Sequence, residues 1–190
     1  MQHQQTTQGV SSAASALRSP RPLSPPKIQF PISKTSMKQT ILFLCIIVAS
    51  GNLITNVYNS IVDAPSWASN IPASVETARN YFSITNPGIF FRVSSPVGQV
   101  LALLTLILFW KSAPNVRFYL GAALVLYVMV DVFTFFYFYP RLAVIYGKVT
   151  DPEALRAAVA QWSNMNWVRS AMIAVGLFLS CFSLHKIYSV

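Results

Sequence analysis

A stripe of amide and carboxylate side chains runs through the first apolar stretch of the chain. Asn52, Asn56, Asn59 and Asp63 follow one another at spacings of four, three and four residues. At about 100° per residue, these spacings place all four side chains on one face of a helix. Polar groups that face hydrocarbon are costly, so the stripe predicts contacts with polar groups of other helices inside the protein.

Two charged residues, Asp131 and Arg169, lie inside two other apolar stretches. An unpaired charge at membrane depth costs at least about 2.5 kcal/mol, so we expect these two side chains to form an ion pair. A second expected ion pair joins Asp63 to Arg92 or Arg141. Because simple helix packing rarely requires ionised groups at depth, Asp131 and Arg169 together predict a functional pocket.

Trp162, Asn166 and Arg169 are spaced by four and three residues, so they share one face of another helix. The alternative role for each asparagine taken alone is structural, because interhelical hydrogen bonds commonly hold membrane helices together. Two residues are predicted to be catalytic, Asp131 and Arg169. The residues predicted to bind a ligand are Asn52, Asn56, Asn59, Asp63, Arg92, Trp162 and Asn166.

The composition indicates a membrane protein. Of the 190 residues, 54% are hydrophobic and only 10% are charged, whereas roughly 25% of residues in soluble domains are charged. Four apolar stretches, at about 41–62, 96–113, 116–139 and 167–184, approach the ~20 residues that cross a bilayer as a helix. The expected fold is therefore all-α, a four-transmembrane-helix bundle. The segment PASVETARNYFSI predicts a short interfacial helix between the first two stretches.

The unusual polar residues lie toward the same end of all four predicted helices. Asn59 lies ~27 Å along the first helix from Ile41, and Asp131 lies ~22 Å along the third from Val116. The second and fourth helices run the opposite way, and Arg92 and Asn166 lie near their starts. The other halves of the helices are nearly free of polar side chains. This pattern favours a pocket that lies at one membrane face and ends inside the protein, rather than a channel through the bilayer.

Residues 1–36 are rich in Gln, Ser and Pro and are predicted to be a disordered tail preceding one four-helix membrane domain, 37–190. Two alternatives are an over-extended start, with Met37 as the true first residue, and an organellar transit peptide. The segment ILFLCIIVAS also has features of a cleaved signal peptide. The asparagine stripe continues through the point where such a signal peptide would be cleaved, so it argues against cleavage.

The distribution of charge predicts the orientation. Eight Lys or Arg residues flank the helices on the side of the termini, and six lie on the opposite side or just inside it. The positive-inside bias therefore favours an integral, multi-pass protein of the cell (inner) membrane with both termini cytoplasmic. No basic stripe or RNA-binding motif accompanies the net charge of +9, so we expect no nucleic-acid partner. The expected partners are membrane lipid, a small hydrophobic ligand and a membrane protein.

Several segments are similar to a known family: YNSIVDAPSWASNIPASVETARNYFSITNPGIFFRVSSP, DVFTFFYFYPR and QWSNMNWVRS. From about Met37 onward the chain resembles the anthrone-oxygenase-like family of small four-helix integral membrane proteins, most of them of unknown function. The general mark of that family is the face formed by Trp162, Asn166 and Arg169. The resemblance implies a membrane bundle, and for some members the oxidation of polyketide anthrones without a bound metal or flavin.

Two functional hypotheses follow. In the first, the pocket binds or oxidises a small hydrophobic or aromatic molecule without a cofactor. Asp131 would be the base that forms a carbanion for reaction with oxygen, and Arg169 with the asparagines would stabilise an enolate-like anion. In the second, the chain is a non-enzymatic accessory subunit or a small carrier. Neither His3 nor His185 lies near the cluster, so we predict neither a histidine base nor a metal site.

Overall fold

The computed structural model describes residues 37–189, and all regular elements within this range are helices. The predicted tail, 1–36, lies outside the described residues. Four long helices and one short helix follow one another along the chain. They are α1 (Met37–Ala68), α2 (Ala73–Tyr81), α3 (Pro87–Leu108), α4 (Pro114–Ile145) and α5 (Pro152–Tyr188).

The four long helices have the length and hydropathy of membrane spans. They contain 22 to 37 residues, and their most apolar windows have mean hydropathies of 1.6 to 2.0. Their outward faces carry large apolar side chains such as Ile54, Phe118 and Phe178, each more than 60% exposed. Such faces suit hydrocarbon rather than water. The predicted all-α, four-transmembrane-helix bundle is confirmed, and the chain is an integral membrane protein. That α2 lies at the membrane interface stays a prediction.

The four membrane helices form a ring in which α1 and α4 each pack against α3 and α5. Leu42, Phe109, Val116 and Leu120 fill the end of the ring near Met37. Small residues at mid-height, among them Ala49, Ala102 and Ala123, then let the helices approach closely. The apolar core thus occupies one half of the bundle.

Helix α3 begins at Pro87 rather than near residue 96, as hydropathy predicts. The side chain of Asn86 caps the helix by accepting a hydrogen bond from the Gly88 amide at 2.9 Å. Pro87 occupies the first turn, where its missing N–H costs nothing. Pro96 therefore lies inside the helix, and Arg92 lies within α3 rather than before it.

Helix α5 begins at Pro152, well before the predicted start at residue 167. Asp151 caps it by accepting hydrogen bonds from the amides of Glu153 and Ala154, at 3.3 and 3.2 Å. These contacts fix the start of the helix at Pro152. The amphipathic segment after Asp151 continues into the last membrane span as one helix.

Helix α4 passes through Pro140, although the sequence predicts that it ends there. A π-helical turn, Thr134–Phe138, precedes the proline and begins a new α-helical segment. The side chain of Arg141 donates to the carbonyl of Tyr137 at 2.8 Å and so satisfies an oxygen near the proline. Helix α1 contains a second π-helical turn, Asn59–Asp63. Such turns often occur at functional sites.

A cap of apolar residues closes the end of the bundle opposite Met37; we call it the roof. It consists of α2 and a buried cluster that includes Trp67, Val75, Phe138 and Trp162. Arg79 attaches α2 to the end of α4, donating to the carbonyls of Val144, Ile145 and Val149 at 2.7 to 3.1 Å.

Candidate functional site

A cavity of about 940 Å³ lies in the half of the bundle that the apolar core leaves open. All four membrane helices contribute to its wall. Whether its residues bind a ligand or catalyse a reaction stays a prediction. The predicted site residues that line this cavity are Asn52, Asn59, Arg92, Asp131, Trp162 and Arg169.

Neutral donors from α3 hold the Asp131 carboxylate. Ser95 donates to its Oδ1 and Gln99 to its Oδ2, both at 2.6 Å. The preceding residue, Ser94, donates to Oδ1 of Asn52 on α1 at 2.6 Å. Consecutive serines of α3 therefore tie this helix to its two neighbours at the floor of the cavity.

The guanidinium of Arg169 is almost fully buried, with only 6% of the residue exposed. It donates to Oδ1 of Asn56 and, at 3.5 Å, to the hydroxyl of Thr134. Its Cζ lies 5.2 Å from the centre of the Phe91 ring and 4.4 Å from that of Phe138. Neutral acceptors and aromatic faces thus stabilise the cation.

The predicted ion pair between Asp131 and Arg169 is wrong. Both residues line the cavity, but the ion pairs among residues 37–189 lie elsewhere, each within one turn of a single helix. The cause is competition from nearer neutral partners. Donors on α3 occupy the carboxylate, and the guanidinium is directed toward α1. The two charges therefore face the same space without neutralising each other by contact.

The second predicted ion pair, of Asp63 with Arg92 or Arg141, is also wrong. When the amide of Asn59 is oriented to satisfy both its ends, its nitrogen donates to Oδ2 of Asp63 at 2.9 Å. Arg141 donates to Oε1 of Gln161 at 3.0 Å instead. Arg92 is exposed at the edge of the cavity, while Asp63 lies outside the cavity wall.

Asn56 and Asn166 form a reciprocal contact between α1 and α5, behind the cavity wall. The amide of Asn56 donates to the Asn166 carbonyl at 3.3 Å and to Ser170 at 2.7 Å. The amide of Asn166 donates to the Asn56 carbonyl at 3.0 Å and to Ser60 at 2.7 Å. Both asparagines are fully buried, and their geometry fits the structural role considered as the alternative.

The sequence-based prediction missed most of the aromatic residues that form one wall of the cavity. The Trp67 ring lies 4.9 Å from that of Trp162 and 5.8 Å from that of Tyr146. Trp67 follows Asp63 by four residues, so continuing the polar stripe by one turn would have found it. Burial is the main cause that raises the pKa of the Tyr146 phenol above its ordinary value. The negative charge of the nearby Asp63 carboxylate raises this pKa further. The phenol is therefore neutral at physiological pH.

Residues 88–179 match the family model described as anthrone oxygenase. Over this stretch the chain is similar to the anthrone oxygenase family. The resemblance predicted from the sequence is thereby confirmed. Comparisons with curated proteins and with solved structures find no match.

The stretch that matches the family model supplies all the charged residues of the cavity wall. It includes Arg92, Asp131 and Arg169, whereas the asparagines of α1 precede it. Within residues 37–189, the His, Cys, Asp and Glu side chains form no group of three that could hold a metal ion.

Replacing Asn166 with alanine is expected to destabilise the bundle. The change removes two donated hydrogen bonds and leaves the buried Ser60 hydroxyl and Asn56 carbonyl without these donors, at a cost of about 1–3 kcal/mol. The measurement is thermal unfolding in detergent micelles. Asn115→Ala, at an exposed position of α4, is the matched control and should leave the midpoint nearly unchanged. Equal midpoints for the two variants would contradict the structural role of Asn166.

Proposed function

We propose that the cavity binds a small, hydrophobic, aromatic molecule that carries an oxygen function. The volume of about 940 Å³ lies within the range of ligand pockets, roughly 300–1,000 Å³. The walls provide aromatic faces from Phe91, Trp67 and Trp162. Flat rings pack well against such faces.

The buried cation carries this proposal. Arg169 contacts neutral acceptors only, so no carboxylate in direct contact offsets its positive charge. A carbonyl or phenolate oxygen in the cavity would gain a charge-assisted interaction there. Asp131, on α4, supplies a negative charge to the same cavity. A ligand between the two could accept from one side and donate to the other.

Binding can be followed by quenching of tryptophan fluorescence, because Trp67 and Trp162 line the cavity. Saturable quenching by dihydroxyanthraquinone is expected for the native protein in vesicles. Arg169→Met should weaken binding about tenfold, as expected for a lost hydrogen bond to a charged group. Arg117→Met is the matched control, since Arg117 lies at the opposite end of the bundle beside Trp110.

Absence of saturable quenching in the native protein would refute the proposal. Equal affinities of the Arg169→Met and Arg117→Met variants would show that the Arg169 cation does not contribute to ligand binding. Thermal unfolding of both variants distinguishes lost binding from lost folding.

A second candidate function is cofactor-independent oxidation of a hydroxylated anthrone. The family match over residues 88–179 favours it, together with a carboxylate that Ser95 and Gln99 orient beside the cavity. Asp131 would remove a proton from the CH₂ group between the aromatic rings, and Arg169 would stabilise the resulting enolate. The carbanion would transfer its electrons to O₂. One oxygen atom becomes the ring carbonyl, and the other leaves as water.

Asp131→Asn is expected to reduce the oxidation of dihydroxyanthrone at least about 100-fold, the usual contribution of a general base. Oxygen consumption and quinone absorbance report the rate. Glu153→Gln, at a side chain that is 89% exposed, should retain full activity. Unchanged turnover in Asp131→Asn would exclude that carboxylate as the base. Binding without any turnover by the native protein would instead support the accessory-subunit or carrier function.

We also propose that the protein lies in the cell (inner) membrane with both termini cytoplasmic. Four crossings place Met37 and Tyr188 on one side, where the sequence carries its excess of basic residues. In a Cys181→Ser background, an impermeant maleimide should label Thr85→Cys in intact cells. Asn115→Cys, exposed at the other end, should react only after permeabilisation. The reverse pattern would invert the orientation.

A further inference from the structure

The wall of the cavity is buried on one side of the bundle and exposed on the other. The residues that α1 and α5 contribute to the wall are all buried, including Asn52, Asn59 and Arg169. The exposed wall residues all belong to α3 and α4. They are Arg92, Pro96, Val132, Phe135, Phe136 and Tyr139.

A side chain that lines the cavity and also faces outward marks a gap in the wall. Phe135 and Phe136 are 60% and 73% exposed, and Val132 is 50% exposed. Beside them, Arg92 and Pro96 lie ~8 and ~14 Å along α3 from its start. These positions belong to helices of membrane-spanning length. Because the exposed side chains there are mostly apolar, the gap suits contact with lipid rather than with water.

The contacts between α3 and α4 define the floor of this gap. Within the described residues, the hydrogen bonds that join these helices come from Ser95 and Gln99 and end on Asp131 and the carbonyl of Tyr127. Beyond them, the π-helical turn and the last segment of α4 make at most slight contact with α3. No polar tie therefore has to break for the two helices to separate above Asp131.

The roof obstructs the other route, from water. Trp67 and Trp162 are 4% and 3% exposed, and Val75 of α2 packs against the same cluster. Arg79 fixes α2 by three hydrogen bonds to backbone carbonyls at and beyond the end of α4. Entry from water through the roof would require this buried cluster to open, at a cost that grows with the apolar area exposed.

We propose that the cavity exchanges its ligand directly with the bilayer, through the gap between α3 and α4. This inference rests on the proposed binding function and specifies the ligand class: a lipophile dissolved in the membrane, rather than a water-soluble metabolite. The aromatic side chains at the gap contact the rings of an entering molecule. Arg92 at the rim attracts its oxygen function while its aliphatic stem stays in lipid.

The test measures rates of binding rather than affinity alone. Protein in phosphatidylcholine vesicles binds dihydroxyanthraquinone, and quenching of Trp67 and Trp162 is followed in a Trp110→Phe, Trp167→Phe background. Val132→Phe narrows the gap and should slow both association and dissociation about tenfold, with little change in affinity. Val128→Phe, one turn away on α4 and outside the cavity wall, is the matched control. Phe136→Ala should widen the gap and accelerate both steps.

Equal rates for Val132→Phe and Val128→Phe, together with unchanged rates for Phe136→Ala, would overturn the lateral route. Arg79→Ala, which loosens the roof, reports the alternative. Faster exchange in Arg79→Ala with no effect of the two gap variants would assign entry to the aqueous side. If the background protein shows no saturable quenching, the proposed binding function itself fails. Saturable binding whose rates are unaltered in the gap variants would refute only the lateral route and would leave the proposed binding function intact.

Discussion

The need to satisfy one buried cation organises the polar interior of this bundle. Arg169 is positioned at membrane depth, where a charge without partners is costly. The single acceptor oxygen of the Asn56 amide is directed at it. The two donor hydrogens of that amide are then free to bind α5, which they do through Asn166 and Ser170. The contact that stabilises the charge thus also fixes the spacing of α1 and α5.

The same arrangement keeps the two charges of the cavity apart. A direct ion pair would have left Asp131 and Arg169 little capacity for any third molecule. Instead, each is held by neutral groups of its neighbours, and each retains a face toward the cavity. Hydrogen bonds to amides and hydroxyls orient a charged group without cancelling its charge. This distinguishes the site from the α1–α5 contact, where the two amides donate to backbone carbonyls and serine hydroxyls of the facing helix.

The sequence predicts the fold class well because helix length and hydropathy in a membrane are set by bilayer thickness. It also predicts that polar residues of all four helices gather toward one end of the bundle, where several of them line a shared cavity. It fails for the ion pairs because it contains no information on how each helix is rotated relative to the others. The predicted starts of α3 and α5 are wrong for a different reason. The capping residues Asn86 and Asp151 are polar, so hydropathy places each start too late in the sequence. Ser95 and Gln99, four residues apart, would have been found by extending the search for stripes to α3.

The two π-helical turns give the cavity a means of changing independently of the rest of the bundle. Each contains one more residue per turn than an α-helix would. Losing a single residue from Thr134–Phe138 would restore ordinary helix and leave the segment beyond it facing nearly the same way, because a π-helical turn fits one extra residue into about one turn. Tyr139 and Leu142 would then stay at the cavity and Leu120 in the packed half, while residues of the turn that line the wall, such as Phe135 and Phe136, would shift. Single-residue insertions and deletions at these turns could therefore diversify ligand preference across related proteins without rebuilding the core.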